Sequence, residues 1–216
     1  MKKIEIRELE GNGDFRSPEC KRYLEEADIV ITNPPFSLFR QYVKQLMDYG
    51  KKFIIIGNMN AITYKEIFPY IKNNEMWLGV NEKGGSRKGN SLTFINGNEK
   101  RDVSSWWYTN IDNKRRNEML DLYKKYNEKD FPKYDNYNAI EVSRVENIPM
   151  DYEGVMGVPI TFLGKYCPTQ FEIVDAREVA LNDKQKNKNC YLIKDADGAI
   201  NGKPTYARIC IKKVSA

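Results

Sequence analysis

A chain of 216 residues that is 41% hydrophobic can build a packed core, with room for one large or two small domains. It contains no histidine, which excludes Ser-His-Asp chemistry and any mechanism with a histidine base, and removes the commonest zinc ligand. The net charge of +5 is compatible with a polyanionic partner without selecting one. Cys20, Cys167, Cys190 and Cys210 form no CxxC pair, so no zinc or thioredoxin-like motif is supported and no metal is expected. Widely spaced single cysteines suit a reducing cytoplasm. No signal peptide or long apolar run is present, so a soluble cytoplasmic protein without a membrane partner is expected.

Residues 3–9 (KIEIREL) alternate like a half-buried strand. Ser17-Pro18-Glu19 opens a helix to about Ala27, with Ser17 as N-cap and Pro18 at its first position. The run Ile29-Val30-Ile31 reads as a strand over 28–32, buried on both faces as in a parallel sheet. Ser37 is placed as cap of a helix over 38–49 that Gly50 ends. FIIIG (53–57) is a second buried strand, followed by a helix over 64–71 and a strand over 76–80. This alternation predicts a parallel α/β sheet whose ligands bind beyond the carboxyl ends of the strands. Asp14, Asn33 and Asn58 then converge on that rim.

Residues 81–90 (NEKGGSRKGN) are a polar basic loop in which Lys83, Arg87 and Lys88 are candidate phosphate contacts. SLTFI (91–95) is expected to pair antiparallel with SSWWYTN (104–110), in which Trp106 and Trp107 face opposite sides. A polar helix is predicted over 114–126. Arg115 and Arg116 sit at its start, where a nearby anion would relieve the unfavourable helix dipole. Short strand-like runs follow near 138–145, 170–174, 190–194 and 205–213. The predicted organisation is 1–110 as a catalytic half and 111–216 as a recognition region, with a soft boundary over 111–136.

The stretch Thr32-Asn33-Pro34-Pro35-Phe36 carries the chemistry. Two prolines stiffen the chain and remove two amide donors, leaving the Asn33 side-chain oxygen and the Pro34 carbonyl as acceptors beside the Phe36 ring. That set suits a planar group bearing an NH2: the acceptors take its two N–H bonds and the ring stacks on its face. Hydrogen bonds to both protons of a conjugated amine favour the tetrahedral geometry that frees its lone pair. Attack on a methyl donor held in line then needs no histidine.

ITNPPF resembles the motif of amino-group methyltransferases that use S-adenosylmethionine. GDFRSPE, ADIVITNPPFSLFRQYV, FIIIGNMNAITYKEIFP, GVMGVPITFLGKY and NGKPTYARI together resemble the EcoRI-type adenine-specific DNA methyltransferase family, from about Gly11 to Ile211. The resemblance implies a partial Rossmann-like methyltransferase sheet, mostly parallel with an antiparallel edge hairpin, plus a C-terminal α+β recognition region. It implies S-adenosylmethionine as cofactor, with Asp14 and Phe15 holding its adenine. It makes Asn33, Pro34, Pro35 and Phe36 the catalytic set, acting on an adenine flipped out of double-stranded DNA.

The family's glycine-rich cofactor loop is not found. Only about 20 residues separate Gly11-Asn12-Gly13 from Asn33, so the expectation is of about 100 missing N-terminal residues or a complementing chain. Two alternatives stay open: a nucleic-acid-binding fragment without activity, and a methyltransferase acting on an RNA base or a protein glutamine.

Overall fold

The computed structural model describes residues 5–79, 92–96, 99–188, 191–194 and 196–214. Helix α1 (Pro18–Glu26) starts as its sequence dictates: the Ser17 hydroxyl accepts from the Cys20 amide and Pro18 occupies the first turn. Strand β1 (Ile29–Thr32) follows. The chain then makes a short 3-10 turn over Phe36–Leu38 and enters α2 (Phe39–Asp48). Ser37 therefore lies inside the turn and caps nothing. Leu38 takes the cap position without a side-chain bond, because its apolar side chain carries no acceptor, and its amide bonds the Pro35 carbonyl. Phe39, Val43 and Leu46 form the buried stripe of α2, and Gly50, at φ 61°, closes it in the left-handed conformation that glycine tolerates.

Strand β2 (Lys52–Asn58) pairs parallel with β1, Thr32 opposite Ile55. A 3-10 turn over Met59–Thr63 follows, and of the helix predicted over 64–71 only the second half is helical, as the short α3 (Phe68–Lys72), with a turn over 64–67 before it. Strand β3 (Trp77–Leu78) comes next. Strands β4 (Leu92–Asn96) and β5 (Glu99–Val103) pair with each other as a separate hairpin. Strand β6 (Ser105–Thr109) does not pair with β4 as predicted. It inserts antiparallel between β2 and β3, which leaves it no edge for β4 and buries Tyr108 completely. The first sheet thus runs β1-β2-β6-β3, with one parallel and two antiparallel pairs, and is mixed rather than mostly parallel.

Two further expectations fail. Of the strand predicted over 3–9, residues 5–9 form none and Ile6 is 88% exposed, because among the described residues no neighbouring strand pairs with them, and residues 3–4 lie outside the described residues. Strand β1 is not buried on both faces: Ile29 is 49% and Ile31 69% exposed, since β1 is the sheet's edge among the described residues.

The predicted helix over 114–126 is a 3-10 turn over Lys114–Asn117 followed by extended chain. Distant side chains take its backbone groups. The Gln170 amide both accepts from the Leu120 amide (2.7 Å) and donates to its carbonyl (2.8 Å), and Asp151 accepts from the Tyr126 amide (2.7 Å). Leu120, Leu122 and Tyr126 pack on the core in that extended form.

A second sheet follows, in the order β7-β8-β12-β9. It comprises β7 (Ile140–Glu141), β8 (Met156–Val158), β9 (Phe171–Val174) and β12 (Ile209–Lys213). Between β9 and β12 come the one-turn helix α4 (Asp183–Lys186) and a ribbon of β10 (Ala199–Ile200) and β11 (Lys203–Pro204). One buried apolar cluster, from Leu24 through Tyr108 to Ile211, runs through both sheets.

Gly57, next to the carboxyl end of β2, lets Phe39 at the head of α2 sit directly on the sheet. A Cβ there would lie 2.5 Å from the Phe39 ring and 2.9 Å from that of Tyr108. Gly57→Ala is expected to destabilise the chain by about 1–3 kcal/mol through overpacking, read as a lower urea midpoint.

Candidate active site

Strand β1 delivers the chain to Asn33 at its carboxyl end, beside the carboxyl half of β2. Pro34 turns inward and is buried, whereas Asn33, Pro35 and Phe36 stay open, Phe36 at 38% exposure. Among the described residues the Pro35 carbonyl accepts from the Leu38 amide (2.9 Å). Neither the Pro34 carbonyl nor the Asn33 amide has a protein partner there. The turn thus satisfies the third group and leaves the two acceptors available, as the proline pair demands.

A pocket of about 660 Å³ opens beside this turn. Its walls are β1 from Ile29 to Thr32, the inner face of α1 (Cys20, Leu24), the head of α2 and the segment Asn12–Phe15, and Asn33, Pro34 and Pro35 complete the lining. The sequence-predicted pair Asp14–Phe15 and the turn at Asn33 therefore share one cavity, although 18 residues separate Asn33 from Phe15. Phe15 is fixed from α2: its ring meets Tyr42 edge-on (4.9 Å between centroids, 85°), and its carbonyl accepts from Gln45 Nε2 (3.0 Å). Burial pushes the Tyr42 hydroxyl pKa up, so it stays protonated.

Asp14 is held by its near neighbour Arg16. The guanidinium makes a two-pronged contact with the carboxylate, and the Arg16 amide bonds the same group (2.9 Å). These bonds hold the Asp14 pKa down to about 2, so it is an anion at any working pH. Asn58 sits outside the pocket lining and caps the turn that follows β2 by accepting from the Asn60 amide.

The candidate DNA contacts fall in three places. Lys83, Arg87 and Lys88 lie outside the described residues. Arg115 is half-buried on the 3-10 turn. Arg116 is drawn inward: its guanidinium lies 3.9 Å from the centre of the Trp77 ring, donates to Asn74 (3.1 Å) and is only 14% exposed. It stacks between segments rather than presenting itself to a phosphate. Tyr42 and Gln45, which shape the pocket, escaped the sequence reading as site residues. Their three-residue spacing on α2 is that of an ordinary core-facing helical stripe. Among the described residues no cluster of His, Cys, Asp or Glu has metal-binding geometry, and no helix is long and apolar enough to cross a membrane.

The pocket thus lies at the carboxyl end of a parallel strand pair in an α/β protein, with Asn33, Pro34 and Pro35 in its lining and Phe36 next in the chain but outside that lining. The family model for the adenine-specific methyltransferase EcoRI matches residues 1–214, and the chain belongs to this family. It is 45% identical to the Type II methyltransferase M.EcoRI of Escherichia coli, over 97% of this chain and 64% of that protein. It is 39% identical to the Type II methyltransferase M.MgeORF184P of Mycoplasma genitalium and 36% identical to M.MpnI of Mycoplasma pneumoniae. Each of these matches covers 98% of this chain and 72% of the relative. The chain thus spans just under two thirds of M.EcoRI. No solved structure matches it significantly.

Proposed function

We propose that this chain is an S-adenosylmethionine-dependent DNA methyltransferase acting on the N6 amino group of adenine. The observation that carries this reading is the pair of acceptors without a partner among the described residues, Asn33 and the Pro34 carbonyl, in the lining of a pocket that also holds Asp14 and Phe15. The Asn33 oxygen and the Pro34 carbonyl bind the two N6 protons, Pro35 keeps the turn rigid, and the exposed Phe36 ring stacks on the base. Adenine N6 is paired inside a duplex, so the base must rotate out of the stack to reach Asn33. The partner is double-stranded DNA, and the Type II methyltransferase names of the relatives favour a site-specific enzyme.

The residues present fit the cofactor. A volume of about 660 Å³ suits a nucleoside-sized ligand, Phe15 gives an adenine a ring to pack on, and the Asp14 anion offers an acceptor at the same end. Asn12–Phe15 and the β1 wall would hold it, and when bound it supplies a methyl group on a positively charged sulfur. The chain's own work is to orient N6 and, through the apolar β1 and α1 walls, to keep water from the reacting end. The edge of β1 that is unpaired among the described residues also lines the pocket. A further strand there, from a preceding segment or a complementing chain, would extend the sheet in Rossmann-like fashion and deepen the cofactor site.

Calorimetric titration with S-adenosylhomocysteine tests the cofactor reading. Micromolar binding is expected, weakened about tenfold or more by Phe15→Ala. Gln45→Ala, which frees the Phe15 carbonyl, is expected to weaken binding several-fold while lowering the melting temperature by no more than about 4 °C, because it removes one part-buried hydrogen bond. Absence of any binding by the folded chain favours the second reading, a nucleic-acid-binding chain without activity. The lack of a recognisable glycine-rich loop is the observation on that side.

A further inference from the structure

The Asn33 turn explains how a base is held but not how a duplex is gripped. The basic residues that the sequence offered for that task are buried, partnered or outside the described residues. A different surface carries the charge. Residues 181–214 hold eight lysines and arginines against three aspartates, a surplus equal to the +5 of the entire chain. Lys184, Lys186, Lys194 and Lys203 are exposed there and, among the described residues, have no carboxylate within ion-pair distance.

The same segment contains a rigid two-stranded ribbon. Its tip is Asn201-Gly202, at φ 50° and 73°, the doubly left-handed turn that joins short antiparallel strands tightly. The ladder runs back from Ile200–Lys203 and Ala199–Pro204 through the Thr205 amide on the Gly198 carbonyl to the reciprocal Ile193–Arg208 pair. Side chains from outside hold it at three heights. Asp135 accepts from the Asn201 and Gly202 amides (3.1 and 2.8 Å), so its charge is taken up by the tip itself. Asn136 accepts from the Ala199 amide (3.2 Å). Arg208 at the base is locked on Glu141. An ion pair between Lys188 and Asp197 ties the α4 segment, with Lys184 and Lys186, to the ribbon's flank.

A ribbon so held stands ready without an ordering cost, yet its outward side serves no packing purpose. Asn201, Lys203 and Pro204 are exposed, and Tyr206 is exposed to 78%. Tyr191, two residues before the ladder, stacks on Phe68 at the start of α3 (5.6 Å between centroids, 17°). That contact ties the segment leading into the ribbon to the helix between β2 and β3.

We propose that the ribbon over 198–206 is the duplex-reading element of this protein. Its tip enters the major groove, which is wide enough for two strands, with Asn201, Lys203 and Tyr206 toward the base edges and Lys184 and Lys186 on the flanking phosphates. This rests on the DNA methyltransferase reading and adds which surface meets the DNA.

The test is fluorescence-anisotropy titration of the full chain, with S-adenosylhomocysteine present, against labelled duplex DNA carrying a site methylated by the untreated protein. The Lys203→Ala/Tyr206→Ala double variant is expected to bind that duplex at least tenfold more weakly while approaching wild-type affinity on random duplex. The Lys184→Ala/Lys186→Ala variant is expected to weaken binding to both duplexes and to make the dependence of log K on log salt shallower by about two. Cofactor affinity and melting temperature should not move in either. Wild-type affinity and salt slope in both variants would overturn the ribbon assignment and leave the enzymatic reading standing. A wild-type chain that binds the cofactor product but no duplex even at low salt would overturn both.

Discussion

Asn33→Ala is expected to lower the rate of methyl transfer by about 10²–10³-fold, the usual loss when one preorganised hydrogen-bonding group at a reacting centre is removed. The change deletes one of the two acceptors that face the amine and leaves the Pro34 carbonyl alone, so N6 stays closer to its planar, conjugated form. Asn33 is exposed and has no protein partner among the described residues, so its removal should not disturb the fold. Affinity for S-adenosylhomocysteine should stay within about twofold, because the proposed cofactor contacts are Asp14 and Phe15 and the proposed role of Asn33 is to bind the base. Single-turnover kinetics separates the two quantities. A variant with unchanged kcat would remove Asn33 from the chemistry, and one with equally reduced cofactor binding would place it in the cofactor site instead. Phe36→Ala should act differently: loss of stacking worth about 1–3 kcal/mol raises the KM for DNA more than it lowers kcat.

The largest effect on stability is expected at Glu141. Its carboxylate, 12% exposed, accepts from Arg208 Nε (2.9 Å) and Nη2 and from the Tyr134 hydroxyl. Burial, and then the Glu141 charge, push the Tyr134 pKa far above its ordinary value, so the hydroxyl keeps its proton and donates at every working pH. Glu141→Ala leaves the Arg208 guanidinium, 11% exposed, without its counter-charge. The expected cost is about 3–5 kcal/mol, read as a lower urea midpoint by tryptophan fluorescence. Removing both charges with Glu141→Leu and Arg208→Met should recover most of that loss, because the penalty comes from the stranded cation. A single variant within about 1 kcal/mol of wild type would mean that water reaches the pair. Tyr134 also lies where a Cβ on Gly157 or Gly198 would touch it (2.7 and 2.9 Å), so this network supports both the second sheet and the ribbon.

Elements written in local signals were legible in the sequence. The cap at Ser17, the buried run of β2 and the stop at Gly50 each depend on neighbours within a few residues. Elements set by distant partners were not. The stretch over 118–126 has a helix-compatible composition, but Gln170 and Asp151 claim its backbone from 50 and 25 residues away. Strand β6 pairs with β2 and β3 because its alternate faces fill the core between them, which no turn signal near 97–103 encodes. Strand β1 looked doubly buried because Ile-Val-Ile reports hydrophobicity rather than the presence of neighbours. At the candidate site, two adjacent prolines make the turn legible, since they remove donors whatever surrounds them. The α2 residues that support Phe15 were hidden in a stripe indistinguishable from core.

The most direct measurement is product identification. The chain is incubated with deuterium-methyl S-adenosylmethionine and, in parallel, with duplex DNA, RNA and a protein mixture, and each is hydrolysed for mass spectrometry. Labelled N6-methyladenine from the duplex alone, absent with Asn33→Ala, is the result expected if the Asn33 turn binds the adenine amino group as proposed. Label on an RNA base or a glutamine with none on DNA adenine would contradict it, as would a folded, cofactor-binding chain that methylates nothing.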